Sequence, residues 1–495
     1  MNVFPIPIAA AALVLGTVAA TPARADTQPP WPGGTDPVLD ALVSDALQNR
    51  PEVKQAAATA RGEQERVPQA GALPDPMLLL GIQNDGFKEI NIGKMETSFW
   101  QVGVSQGFFW PGKRDLRGRV ASDAVRQANA ATARTRLTTE AEVRRAYVDL
   151  LLVRDQLALL AKLETLWEES ERLAKTRYEV GQGPQSDLFR AQLERTRLRQ
   201  QRLVLEAGER TRLQTLNRLR VHPLDEPIET PRRLADLPDP VLPPVTDAIA
   251  DAEGRSPDLL QARAASDQSA RTVDLARRER FPDFTVNAAY MGRGQLEPMW
   301  ALGLSVSLPV WSGSKQNRAV SESVERRAAA GEAEEAVRQL LRLRTQERLA
   351  LLDSALRENQ LYRGGLLVQS ESTASSTLAQ YQVGRVPFAA VLEALGGLIS
   401  DHGGFLDTTA QAQRLAIAQA ELSLDAPPGA EGAMGGGGGG AGGGMGAAAA
   451  GAAGGMGGKG GGKGGGMSLP GMSLGAGASG GASASPAGPP KGGGM

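Results

Sequence analysis

The chain has 495 residues, a formal net charge of -1 and only 4% aromatic residues. That length can bury a sizeable core, but the charge lacks the basic excess of a phosphate-binding surface, so no nucleic-acid partner is expected. Cysteine is absent, which excludes disulfides, thiolate metal sites and a lipid-anchored N-terminal Cys. His222 and His402 are the only histidines, too few for histidine-based catalysis or a zinc centre, and each reads as a loop or polar-face residue.

Residues 1–25 form an apolar run ending in Ala23-Arg24-Ala25, the small-x-small pattern of a secretory signal peptide, although no Lys or Arg precedes the run. The mature chain then begins at Asp26. No other segment offers the ~20 apolar residues of a spanning helix. Any membrane insertion must therefore use strands.

The mature chain reads as two similar units offset by roughly 200 residues, a repeat that takes precedence over local features. R50-P-E-V53 matches R255-S-P-D-L259, and L73-P-D-P-M77 matches F281-P-D-F-T285. The strands around W100-Q-V-G-V-S-Q-G-F-F-W-P-G-K113 and W300-A-L-G-L-S-V-S-L-P-V-W-S-G-S-K315 follow in register. Y178-E-V-G-Q-G-P-Q-S-D-L188 then matches Y381-Q-V-G-R-V-P-F-A-A-V391. Each unit is expected to hold a helix, two strands, a long helix, a turn and a second helix.

The first long helix is expected from Gly112 to Tyr178, because Leu150, Val153, Leu157, Leu160, Leu163 and Trp167 recur at threes and fours. At 1.5 Å per residue it makes a rod of about 100 Å. Gly181 to Pro184 breaks the rod, and a helix returns from Gln185 to Leu219, giving an antiparallel hairpin. By helical period alone this is equally a plain coiled-coil rod.

The strands argue otherwise. Trp100, Val102, Val104 and Phe108 alternate with Gln101, Gly103, Ser105 and Gly107, and Trp300, Leu302, Leu304, Val306 and Leu308 alternate with Ala301, Gly303, Ser305 and Ser307. Phe284, Val286, Ala288 and Tyr290 likewise alternate with Asp283, Thr285 and Asn287. A strand between lipid and water needs this pattern, and a sandwich-core strand shares it. Four strands cannot close a barrel, and an open edge in lipid leaves backbone groups unpaired at several kcal/mol each. Three chains sharing twelve strands form the smallest barrel wide enough for a lumen.

The domain boundaries expected are 1–25 signal peptide, 26–222 first unit, 223–246 Pro-rich connector, 247–426 second unit and 427–495 tail. The connector is expected to be ordered and packed beside the helices. The tail is rich in Gly and Ala and carries three lysines as its only basic residues, so it cannot bury enough apolar surface to offset its ordering entropy. Met434, Met445, Met456 and Met467 recur every eleven residues there, with Met472 close behind. Thioethers suit soft ions such as Cu(I) and Ag(I), while simple expansion of a Gly/Ala/Met unit also explains the period. The Gly435–Gly440 run lacks the Lys-Ser/Thr of a phosphate-binding loop. No nucleophile–base pair or metal-ligand cluster points to an enzyme.

Over roughly residues 36–425 these features resemble the TolC-like outer-membrane efflux family. The most specific residues are L73-P-D-P-M77, V104-S-Q-G-F-F-W-P-G-K-R114 and the paired Y178-E-V-G and Y381-Q-V-G turns. The first two look most like the CusC-like heavy-metal branch. The resemblance implies an α+β membrane protein: a homotrimer with a shared 12-stranded barrel in the Gram-negative outer membrane and a long periplasmic coiled-coil tunnel. It also implies a passive exit duct without cofactors, served by a periplasmic adaptor and an inner-membrane RND-type transporter, in a heavy-metal efflux system ahead of a drug or secreted-protein system. A structural coiled-coil protein of the envelope is the rival from another class.

By the same resemblance, Tyr381 bonds Asp187 to hold the periplasmic end shut, with Tyr178 the first-unit counterpart of Tyr381 and Gly181 and Gly384 the turn glycines. The family's latch Arg falls on Val386, leaving Arg385 as a substitute, although a one-residue shift turns a helical side chain by about 100°. Its two acidic aperture rings fall on Ala390 and Glu393, so one ring is missing. Glu393 carboxylates brought together by threefold symmetry would have raised pKa values and attract cations, or Glu393 is simply a solvated helix residue.

Overall fold

The computed structural model describes Trp31 and residues 36–427. The proposed signal peptide, most of the tail and all five candidate methionines lie outside these residues.

Each unit opens with two helices rather than the single one expected: α1 (Pro37–Asn49) and α2 (Pro51–Ala70), then α5 (Val245–Arg255) and α6 (Pro257–Arg278). The break has one cause in both places. Pro51 and Pro257 each start the second helix, where a missing N–H costs nothing, while Arg50 (ψ 124°) and Ser256 (ψ 118°) are extended, as residues before proline prefer. The motif R50-P/S256-P is thus a paired kink.

After α2 come β1 (Met77–Gln83) and β2 (Phe99–Phe108), and after α6 come β3 (Phe284–Arg293) and β4 (Leu296–Val306). They form one antiparallel sheet in sequence order. The register sets Leu80 opposite Val102, Val104 opposite Ala288, and Ala288 opposite Leu302. Opposite residues share a face, so one face carries Leu78, Leu80, Ile82, Val102, Val104, Val286, Tyr290, Trp300, Leu302 and Leu304. The other carries Gly81, Gln101, Gly103, Ser105, Asn287, Ala289, Gly303 and Ser305. The Asn287 amide donates to the Ser305 hydroxyl on this polar face at 3.2 Å.

Ile82 is 75% exposed and Trp300 78%. Fully burying one such side chain is worth about 1.5–3 kcal/mol, so a whole face left in water would be strongly unfavourable. The alternation is not strict: Met77, Leu79, Met291 and Met299 put larger apolar groups on the small and polar face, and Gln106, opposite Val286, stands on the apolar one.

Aromatic residues sit at both ends of the apolar face. Trp100 packs on Tyr290 with ring centroids 5.7 Å apart, directly over Gly292, where an added Cβ would lie 2.2 Å from the indole. At the other end Phe108 stacks on Phe284 at 5.5 Å. From Trp100 to Phe108 the strand climbs about 26 Å at 3.3 Å per residue, close to the ~25 Å apolar band of an outer-membrane barrel.

The long helices are α3 (Lys113–Glu179, 67 residues) and α4 (Gln185–Arg220) in the first unit. In the second unit the rod is interrupted: α7 (Gln316–Leu361) passes through a π-helical turn at Tyr362–Leu366 into α8 (Leu367–Gln382), and α9 (Phe388–Glu421) returns. The wide turn carries Gly364 and Gly365 and lies where the Tyr362 hydroxyl sits so near α9 that a Cβ on Gly404 would be 2.4 Å from it. No described helix is long and apolar enough to cross a membrane.

The main core joins α1, α3, α4 and α9 around Tyr147, Leu150, Leu151, Leu216 and Ala410. The segment between α4 and α5 closes it with Ile228, Leu234 and Leu237, tied down by Arg154 to the Ile228 carbonyl (2.9 Å) and by the Leu234 N–H to Asp155 (2.9 Å). A second core fills the end formed by α3, α4, α8 and α9, with Leu163, Trp167, Ala191, Tyr381, Phe388 and Leu395.

Candidate functional site: the helical tips

Both hairpins end in the same turn. Gly181 (φ 71°) and Gly384 (φ 75°) take the left-handed conformation that terminates a helix. In each turn the residue after the glycine donates back, Gln182 N–H to the Arg177 carbonyl at 2.8 Å and Arg385 N–H to the Gln380 carbonyl at 2.9 Å. Pro184 and Pro387 then set the extended backbone before α4 and α9.

Equal turns carry unequal side chains. Tyr381 is 2% exposed, whereas its counterpart Tyr178 is 43% exposed. The Tyr381 ring packs on Phe388 at 5.3 Å, where the first unit has polar Gln185. Its hydroxyl donates to Asp187 Oδ2 at 3.2 Å. Asp187 stands in the first turn of α4, where exposed N–H groups favour an anion. Burial, then the Asp187 charge, push the Tyr381 phenol up to about 12.

The arginine beside this pair is Arg177, which the sequence reading missed. It lies 4.6 Å over the Tyr381 ring, donates to the Tyr381 carbonyl, and donates to Gln182 O at 3.1 Å. One cation therefore spans both turns. Arg385 is exposed and makes no ion pair among the described residues, and Val386 packs against the tip core instead. The signal was present in the repeat: Arg177 aligns with Gln380, one of the few charged-to-neutral differences beside the turns.

Glu393 is exposed on α9, without an ion pair among the described residues, and Ala390 is half-buried. His402 Nε2 lies 3.1 Å from Glu371, and His222 Nδ1 lies 2.9 Å from Glu226. Among the described residues no group of three or more His, Asp or Glu could hold a metal ion. The arrangement is a mechanical fastening: a hydroxyl, a carboxylate and a guanidinium join helix ends from both units.

The profile of the outer membrane efflux protein family matches residues 42–221 and 248–422, one segment for each unit. No curated protein matches the chain in sequence. Among solved structures, the outer-membrane channel OprN is 17% identical over 78% of this chain and 90% of its own, with a TM-score of 0.67. A membrane protein from Pseudomonas aeruginosa is 18% identical over 79% of this chain and 93% of its own (TM-score 0.68). CusC is 15% identical over 78% and 92% (TM-score 0.63), so the resemblance to it is one of several.

Proposed function

This chain belongs to the outer membrane efflux protein family, and from that premise we propose that three copies close a twelve-stranded barrel leading into a helical tunnel gated at the tips. The protein is an efflux channel of the outer membrane, with its helices in the periplasm. Four strands with free edges at β1 and β4 leave backbone groups that lipid cannot satisfy, which supports closure by further copies. A periplasmic adaptor and an inner-membrane transporter of the RND type supply the opening contact and the energy.

The observation that carries the gate is the Tyr381–Asp187 hydrogen bond at 3.2 Å with Arg177 over the ring. These side chains hold the second hairpin against the first. Releasing them frees the tips to part, and Glu393 then offers a carboxylate to cations passing the aperture. The proposed cargo is a soft heavy-metal ion such as copper or silver. It is supported by the CusC-like strand motifs and by Met434, Met445, Met456, Met467 and Met472, whose thioethers suit such ions.

The test is growth of a host lacking the gene, complemented by the full chain or by one ending at Asp425, on copper, silver, zinc, cobalt, cadmium and dyes. Rescue on copper or silver that weakens without the tail supports the proposal. Rescue on dyes alone, with either version, overturns the metal assignment and leaves the duct.

A further inference from the structure

The chain contains one internal seam between its units, β2 against β3, and presents the two edges of a second, β4 and β1. The internal seam is fastened where the strands meet the helices. Lys113, 3% exposed, donates to Asp283 Oδ1 at 2.8 Å and to the Phe281 carbonyl at 2.8 Å. The Trp110 N–H donates to the same carboxylate oxygen at 2.8 Å, and the Trp110 ring stacks on Phe281 with centroids 5.3 Å apart.

Every member of that fastening has a counterpart at the free edges. Asp283 and Phe281 of the F281-P-D motif correspond to Asp75 and Leu73 of L73-P-D, and Trp110 and Lys113 correspond to Trp311 and Lys315. The correspondence is also geometric: Leu80 faces Val102 within the first unit as Ala288 faces Leu302 within the second. Asp75 and Lys315 are both exposed and neither makes an ion pair among the described residues. Trp311 is 76% exposed. The turn holding Lys315 closes on the Trp311 carbonyl (2.9 Å) as that of Lys113 closes on Trp110 (3.1 Å), with one residue more.

We infer that β4 of one copy pairs with β1 of the next in the register of the internal seam, and that Lys315 bonds Asp75 across it while Trp311 covers Leu73. This rests on the proposed shared barrel and names the residues that close it. Carrying over the pairs Ser105–Asn287 and Val104–Ala288 sets Ser305 opposite Leu79 and Leu304 opposite Leu80. Leu304 and Leu80 both belong to the apolar face, so the seam continues that face unbroken; a slip of one residue would put polar groups in lipid.

Two experiments on the full chain test this. Cysteine is absent, so Leu79→Cys with Ser305→Cys introduces the only thiols, at positions whose Cα atoms would be about 4.5–5.5 Å apart, within disulfide reach. Oxidised outer membranes should yield covalently linked trimers on non-reducing gels. Separately, Lys315→Glu should lower the temperature at which the trimer dissociates by about 2 °C or more, and adding Asp75→Lys should restore it. Unlinked chains from a double-cysteine variant that still forms the trimer would overturn the register, and no recovery in the charge-swapped variant would overturn the ion pair. A wild-type protein that is monomeric in mild detergent would instead remove the shared barrel itself.

Discussion

Tyr381→Phe isolates the fastening at the tips. The variant keeps the ring, its packing on Phe388 and its place under Arg177, and deletes only the hydroxyl that donates to Asp187 at 3.2 Å. A hydrogen bond to a charged acceptor is worth about 1.5–3 kcal/mol, and Asp187 remains half-exposed, so water can replace part of it and the lower figure applies. That is about tenfold in the closed-to-open ratio per gate, and about a thousandfold if three gates part together. Arg177→Ala should do more, because it strips the ring face and two carbonyls of a cation. The assay is ion conductance of the purified protein in planar bilayers, with Arg385→Ala as the control, predicted to match wild type. If Tyr381→Phe conducts as wild type does, or if Arg385→Ala opens the pore and Arg177→Ala does not, the gate reasoning fails.

The phenol also fixes a pH dependence. Its folded-state pKa of about 12 lies above the ordinary tyrosine value of about 10, so its contribution is complete below about pH 10 and disappears as pH rises through about 12; conductance should rise over that window in wild type and show no such step in Tyr381→Phe. Gly292→Ala places a Cβ against the Trp100 indole and should cost about 1–3 kcal/mol, read as a lower melting temperature. Arg348 is 1% exposed and donates to the carbonyls of Ala418 and Ser423 at the end of α9 and of Arg344 on its own helix, so Arg348→Met should cost about 3 kcal/mol without altering the conductance of protein that folds.

The long helices and their glycine turns were legible because period and punctuation are local properties; the observed α3 and α4 end within a residue of the expected limits. The strand faces were legible in outline for the same reason, whereas which strand pairs with which, and in what register, is a long-range property that alternation along one strand does not record. The kinks before Pro51 and Pro257 were written in the sequence but depend on the preceding residue's backbone, which helical periodicity ignores. The π-turn at Tyr362 depends on how a tyrosine meets Gly404 on another helix, and no pattern along α7 records that contact. Arg177 escaped because it was sought near Val386, on the wrong hairpin. Only the packed tips bring α3 against the end of α8.

The central claim is that strands too few to close a barrel are completed by other copies of the same chain. The native mass of the protein extracted from outer membranes in mild detergent tests it most directly. The account predicts a trimer; a monomer or dimer, whose four or eight strands leave no open lumen, would contradict it.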